Sequence, residues 1–235
     1  MGGGVSFPTG RLSTVRKPPS CFGGVRTQMI CMYMPQFLLF NERVRMDARV
    51  SEVCTSTLEK VSSGQYSNFG VLKAQDPSLM PLTLLFDKFF EFLFGADPTV
   101  QSHFEHVDLK TQGRLIMKTF RSVAEANRTE EGQIKIVLHR LALNHTHKHK
   151  VPPHQYGHFA DAMMRTLRFL LAHEFGCDEE NAWTASITYV YQIMIPAVVD
   201  AILSPRKTSK QLEKKTRPKP RKNTITPFQP IGPKG

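Results

Sequence analysis

The sequence has few cysteines, no long uninterrupted apolar run and no alternating pattern typical of β-strands. Its four cysteines contain no CxxC pair, so the composition predicts neither a zinc module nor a disulfide scaffold. The apolar stretch nearest in length to a membrane span, residues 29–40, is interrupted by Pro35 and Gln36, whereas a membrane span needs about 20 apolar residues. We therefore expect a cytoplasmic protein without a membrane span.

Acidic residues are absent from positions 1–41 and almost absent from positions 204–235. The first segment has four basic residues, and the second has ten basic residues with Glu213 as its single acid. The charge of +11 thus belongs to the ends, and the near-neutral middle excludes a wholly basic nucleic-acid-binding domain. We predict a disordered basic extension at 1–43, one folded domain at 44–204 and a disordered Pro-rich tail at 205–235.

The two ends leave alternatives for location and partners. Residues 1–43 faintly resemble an organelle targeting sequence. The run K-K-T-R-P-K-P-R-K at 214–222 suits nuclear localisation or a weak, salt-sensitive contact with nucleic acid. A tail that only improves solubility is the alternative.

Apolar residues recur every three to four positions in the first half of the central segment. This period predicts a helix over about 44–61, followed by a loop over 62–78 with a short helical piece near Val71. A highly apolar helix begins at Pro81, ends at Gly95 and should be buried. Asp108 is a suitable cap for the next helix, which should reach about Asn127.

The second half of the segment continues the helical pattern. Thr129 is a cap for a helix that leads into a histidine tract and must end before Pro152-Pro153. Two more helices are predicted over 155–175 and 179–203, separated by Gly176. These patterns predict an all-α domain.

The histidine tract has five histidines within fourteen residues: His145, His147, His149, His154 and His158. His145 follows an apolar helical face, which makes it the best candidate metal ligand. His147 would replace it if the helix ended a turn earlier. The i,i+4 pairs within the tract also suit a surface zinc or nickel site. Taken alone, however, the tract favours five solvated surface histidines that bind no metal.

Spaced landmarks surround this tract in a recognisable order. The run F-E-F-L-F-G-A-D-P ends at Pro98, and Phe104 follows six residues later. Leu141 precedes His145 by four residues. Val151 and Tyr156 follow His145 by six and eleven residues.

Together with L-A-H-E-F-G at 171–176 and Trp183, these landmarks resemble the globin family over about residues 80–203, and more weakly over 44–62. The resemblance implies a globin-like all-α fold of about six to eight helices around a haem pocket. It implies that His145 binds the haem iron. It also implies pocket positions for seven further residues: Phe90, Phe104, Gln112, Ile116, Leu141, Val151 and Tyr156.

Each implied role has a simpler alternative. Phe104, expected to stack on haem, and Phe90, expected in the distal wall, are equally suited to ordinary core packing. Gln112, expected at the distal side with Ile116 one turn further along, is otherwise a surface glutamine. Because glutamine is a poor sixth iron ligand, the resemblance predicts an open binding position.

The function that follows is reversible binding of dioxygen or another diatomic gas such as NO or CO, for transport, storage or sensing. The alternative is a nitric oxide dioxygenase. Since the sequence has no G-x-G-x-x-G motif for a flavin or nicotinamide cofactor, that enzyme would need an external reductase. A haem-free signalling domain of the same shape is a further alternative.

Overall fold

The computed structural model describes residues 24–35, 38, 43–125 and 131–204. Across these residues the chain forms eight α-helices and no β-strand. The helices are α1 (Val25–Tyr33), α2 (Ala48–Ser63), α3 (Ser67–Gln75), α4 (Pro81–Ala96), α5 (Leu109–Ala124), α6 (Glu131–His147), α7 (Gln155–Leu171) and α8 (Cys177–Leu203). Short 3-10 helices lie at Pro98–Phe104 and Ala172–Glu174. The predicted all-α class is therefore confirmed.

Local signals in the sequence explain where several helices begin. The Asp47 carboxylate accepts a hydrogen bond from the backbone N–H of Val50 at the start of α2, and Asp108 does the same for Lys110 and Thr111 at the start of α5. Such caps satisfy backbone donors that have no partner inside the helix. Thr129, the predicted cap of α6, lies outside the described residues.

Helix α3 occupies much of the segment predicted to be a loop. Its single buried residue is Phe69, and the Asn68 side-chain amide donates to the backbone carbonyl of Phe169 in α7 at 2.7 Å. Because one buried side chain gives almost no amphipathic pattern, tertiary contacts rather than periodicity define this helix.

Helix α1 contradicts the prediction that all of residues 1–43 lack structure. It packs on α8, and Arg26 forms a two-pronged ion pair with Asp200 at 2.6 and 3.0 Å. Beyond its end, Met34 and Leu38 are buried. Apolar contacts with the domain thus order this part of the extension, while the predicted disordered tail at 205–235 lies outside the described residues.

Helix α8 is the central core element. It packs against α1, α2 and α6, while α4 packs on α7. By length and composition α8 is apolar enough to cross a membrane, contrary to the sequence estimate that no such run exists, yet 67% of its apolar window is buried inside the domain. That burial is typical of the core helix of a globular domain.

Candidate functional site

His145 lies in the last turn of α6, the position predicted for a metal ligand. Its ring is mostly buried, whereas His147 and His149 are exposed. Within the described part of the chain the ring makes one hydrogen-bond contact, between its Nδ1 and the Tyr156 hydroxyl at 3.3 Å. The other ring nitrogen, Nε2, therefore remains available to a ligand.

The surroundings of His145 keep its imidazole neutral. Burial lowers the pKa of His145 to about 4, and repulsion from the neighbouring His149 and His103 acts in the same direction. A neutral imidazole is the form that donates a lone pair to a metal. At neutral pH the side chain is thus ready to act as a ligand.

An apolar stripe on α6 leads up to this imidazole. Val137, Leu141 and His145 follow at intervals of four residues and so share one face of the helix. Val137 is 55% exposed, and Leu141 is only partly buried. The stripe is therefore not covered completely by the protein itself.

Helix α5 has a comparable, partly buried stripe that contains Gln112 and Ile116. A Cβ at Gly113 would lie 2.4 Å from the Phe86 ring, so α5 crosses α4 at this glycine. Gln112 and Ile116, which lie one helical turn apart, are both half-buried, and Leu115 is exposed. The predicted distal residues thus lie at the edge of the core.

The two stripes lie on helices that pack against different neighbours. Helix α6 packs chiefly on α8, and α5 packs chiefly on α2. Across the described residues, no hydrogen bond or ring contact joins Gln112 or Ile116 to His145. The structure therefore places the predicted proximal and distal residues on separate helices without bringing them into direct contact.

Three phenylalanines pack together where α4 meets the following 3-10 helix. Phe90 lies edge-on to Phe104, with ring centroids 5.3 Å apart, and Phe94 contacts both rings at 5.5 and 5.7 Å. Phe90 is buried, whereas Phe104 is partly exposed. The cluster holds Phe104 at the edge of the core with part of its surface still available.

The turn between α6 and α7 brings the remaining predicted residues to His145. The backbone N–H of Val151 donates to the carbonyl of His145 at 2.9 Å. Tyr156, in the first turn of α7, places its ring centroid 5.9 Å from that of His145. The structure therefore places both Val151 and Tyr156 next to His145.

The alternative metal sites have little support. In the part of the chain that the structure describes, no group of three or more His, Cys, Asp or Glu side chains could hold a metal ion. His154 and His158 lie near each other, and the Nε2 of His158 lies 3.9 Å from a carboxylate oxygen of Asp97. An i,i+4 histidine pair alone supplies too few ligands for a structural zinc site.

A surface cavity of about 190 Å³ lies away from the histidine tract, between α2 and the beginning of α8. Its lining includes Glu52, Glu174, Glu179 and Lys60. Charged walls of this kind do not suit an apolar cofactor, so this cavity is not the site.

The globin family model matches residues 87–194. This range contains His145 and all seven predicted pocket residues. The chain contains a globin domain. No curated protein matches the chain.

The residues of this globin domain fit a haem. A haem needs a neutral imidazole with a free nitrogen and apolar side chains above and below the ring. His145 meets the first requirement. The incompletely covered stripes of α5 and α6, together with Phe104, meet the second. The described residues around His145 are therefore chemically compatible with a haem, the group that the globin family typically binds.

Three features of the site have only weak sequence signals. Gly113 interrupts a helical pattern, which is a recognised sign of close packing. His103 acts on the charge state of His145, but no motif connects two histidines so far apart in the chain. Tyr191, in α8, supports Tyr156 through a hydrogen bond that depends on helix packing alone.

Proposed function

We propose that the protein binds haem through His145 and reversibly binds dioxygen or another diatomic gas there. The observation that carries the proposal is the state of His145 itself. Its ring is mostly buried and neutral, and its Nε2 has no partner among the described residues. It also lies within the stretch matched by the globin family model.

Haem would supply a ferrous iron that binds the gas, and the chain would supply its surroundings. His145 would provide the protein ligand. Leu141 and Val151 would exclude water on the His145 side, while Ile116 and Phe104 would form apolar walls elsewhere. Gln112 would donate a hydrogen bond from its side-chain amide to the gas.

The test is the visible absorption spectrum of the full chain after reconstitution with haem. We expect a haem band that shifts when the protein is reduced and shifts again when carbon monoxide is added. A preparation that retains no haem band would contradict the proposal.

The same preparation separates gas binding from nitric oxide conversion. With an external reductase and dioxygen present, a gas carrier consumes little nitric oxide beyond one equivalent per haem. Continuous nitric oxide consumption with formation of nitrate would instead assign the dioxygenase activity.

A further inference from the structure

The contact between His145 and Tyr156 joins the ends of two helices. The His145 Nδ1 and the Tyr156 hydroxyl oxygen lie 3.3 Å apart, within reach of a hydrogen bond, although at its long end. Their rings are tilted by 47°. The partner of the imidazole is therefore a side chain from the next helix along the chain.

Tyr156 is itself held by the core. It is 5% exposed, and its backbone carbonyl accepts a hydrogen bond from the Tyr191 hydroxyl at 2.5 Å. The two tyrosine rings pack edge to face with centroids 5.7 Å apart. Since Tyr191 is also buried, α8 fixes the position from which Tyr156 reaches the imidazole.

The chemistry of imidazole determines which of the two groups must donate the hydrogen bond if Nε2 is to bind a metal. A neutral imidazole carries one proton, and the nitrogen that carries it is set by the hydrogen bond it makes. If Nδ1–H donates to the Tyr156 oxygen, the lone pair is on Nε2, where a metal can bind. If instead the tyrosine hydroxyl donated to Nδ1, the proton would be on Nε2 and would block the metal.

We propose that Tyr156 is a positioning residue for the iron ligand: its phenol oxygen accepts a hydrogen bond from Nδ1–H of His145, fixing the tautomer and the ring orientation. This inference rests on the proposed binding of haem through His145. Partners of this kind commonly strengthen a histidine ligand by making it more basic.

The direct test is Tyr156→Phe in the full chain, reconstituted with haem. We expect the iron–histidine stretching frequency of the reduced protein, measured by resonance Raman spectroscopy, to fall. We also expect transfer of haem to an excess of an acceptor protein to become roughly 10- to 100-fold faster. An unchanged frequency and transfer rate would overturn the inference while leaving haem binding intact.

Tyr66→Phe is the matched control. Tyr66 is equally buried, packs on Phe69, and its hydroxyl has no hydrogen-bond partner among the described residues. Loss of that hydroxyl should alter neither the frequency nor the haem transfer rate. If both variants changed haem transfer equally, a general effect of removing a buried hydroxyl would explain the result and the inference would fail.

A second measurement needs neither a variant nor haem. The ¹⁵N chemical shifts of the histidine side chains in the haem-free protein at neutral pH report which nitrogen of His145 carries the proton. A protonated Nδ1 is the expected result. A protonated Nε2 would overturn the inference, whereas failure of the wild-type protein to bind haem would overturn both the proposed function and this inference.

Discussion

The two faces of α6 differ in how completely the chain covers them. Ile134, Leu138 and Ala142 face the core and are 8%, 1% and 0% exposed. The face with Val137 and Leu141 is left partly uncovered and ends at His145. The first face stabilises the fold by itself, whereas the second offers apolar surface and an imidazole to a ligand. Stability and ligand binding should therefore respond to different substitutions on the same helix.

The largest expected effect is on the uncovered face. His145→Ala should abolish the haem band of the reconstituted protein, because it removes the only nitrogen ligand that the proposed site supplies. His149→Ala is the matched control, since that exposed ring contacts His145 but lies outside the core. If His145→Ala kept a normal carbon monoxide spectrum, another residue, first of all His147, would have to be the ligand.

The covered face should show a loss of stability instead. Leu138→Ala should lower the free energy of unfolding of the haem-free protein by about 2–5 kcal/mol, because it leaves a cavity in a packed core. Val137→Ala, one residue away, should change it by no more than about 0.5 kcal/mol. Urea unfolding followed by circular dichroism measures both, and equal losses for the two variants would show that the faces do not differ in this way.

The crossing of α5 and α4 allows a similar comparison between a closely packed glycine and an exposed one. Gly113→Ala should lower the free energy of unfolding by roughly 1–3 kcal/mol, because the added Cβ would meet the buried Phe86 ring at 2.4 Å. Gly70→Ala is the control, since a Cβ at that position in α3 has no heavy atom within 4 Å.

The control substitution should raise the free energy of unfolding by roughly 0.5–1 kcal/mol through better helix propensity. Thermal unfolding of both variants measures the difference. A stabilising effect of Gly113→Ala would mean that α5 is not held against α4 at this position.

The sequence could predict the features that local signals define. Spacing was sufficient for elements with a strong period or a clear cap, such as the start of α4 at Pro81 and the start of α5 at Asp108. It also singled out His145, through its spacing from Leu141, Val151 and Tyr156 along the chain. The haem, the ligand role of His145 and the roles of the seven pocket residues stay predictions.

Features defined by long-range packing were not predictable in this way. Helix α1 is held by α8, and α3 is held by α7, so neither needs an amphipathic period of its own. The support of Tyr156 by Tyr191 joins residues 35 positions apart. Local sequence does not predict such a contact, because it depends on the turn between α6 and α7 and on how both helices pack with α8.

The smallest expected effect lies at the edge of α5, where Gln112 is half-buried. If its amide donates to the gas, Gln112→Leu removes one hydrogen bond with a net contribution of roughly 0.5–1.5 kcal/mol. Oxygen should then dissociate about two- to tenfold faster, as measured by stopped-flow replacement with carbon monoxide. Gln75→Leu, the same change at an exposed residue of α3, should leave the rate unaltered. An equal rate for Gln112→Leu and the wild type would place Gln112 on the protein surface. The proposed site would then have no assigned side chain that donates a hydrogen bond to the gas.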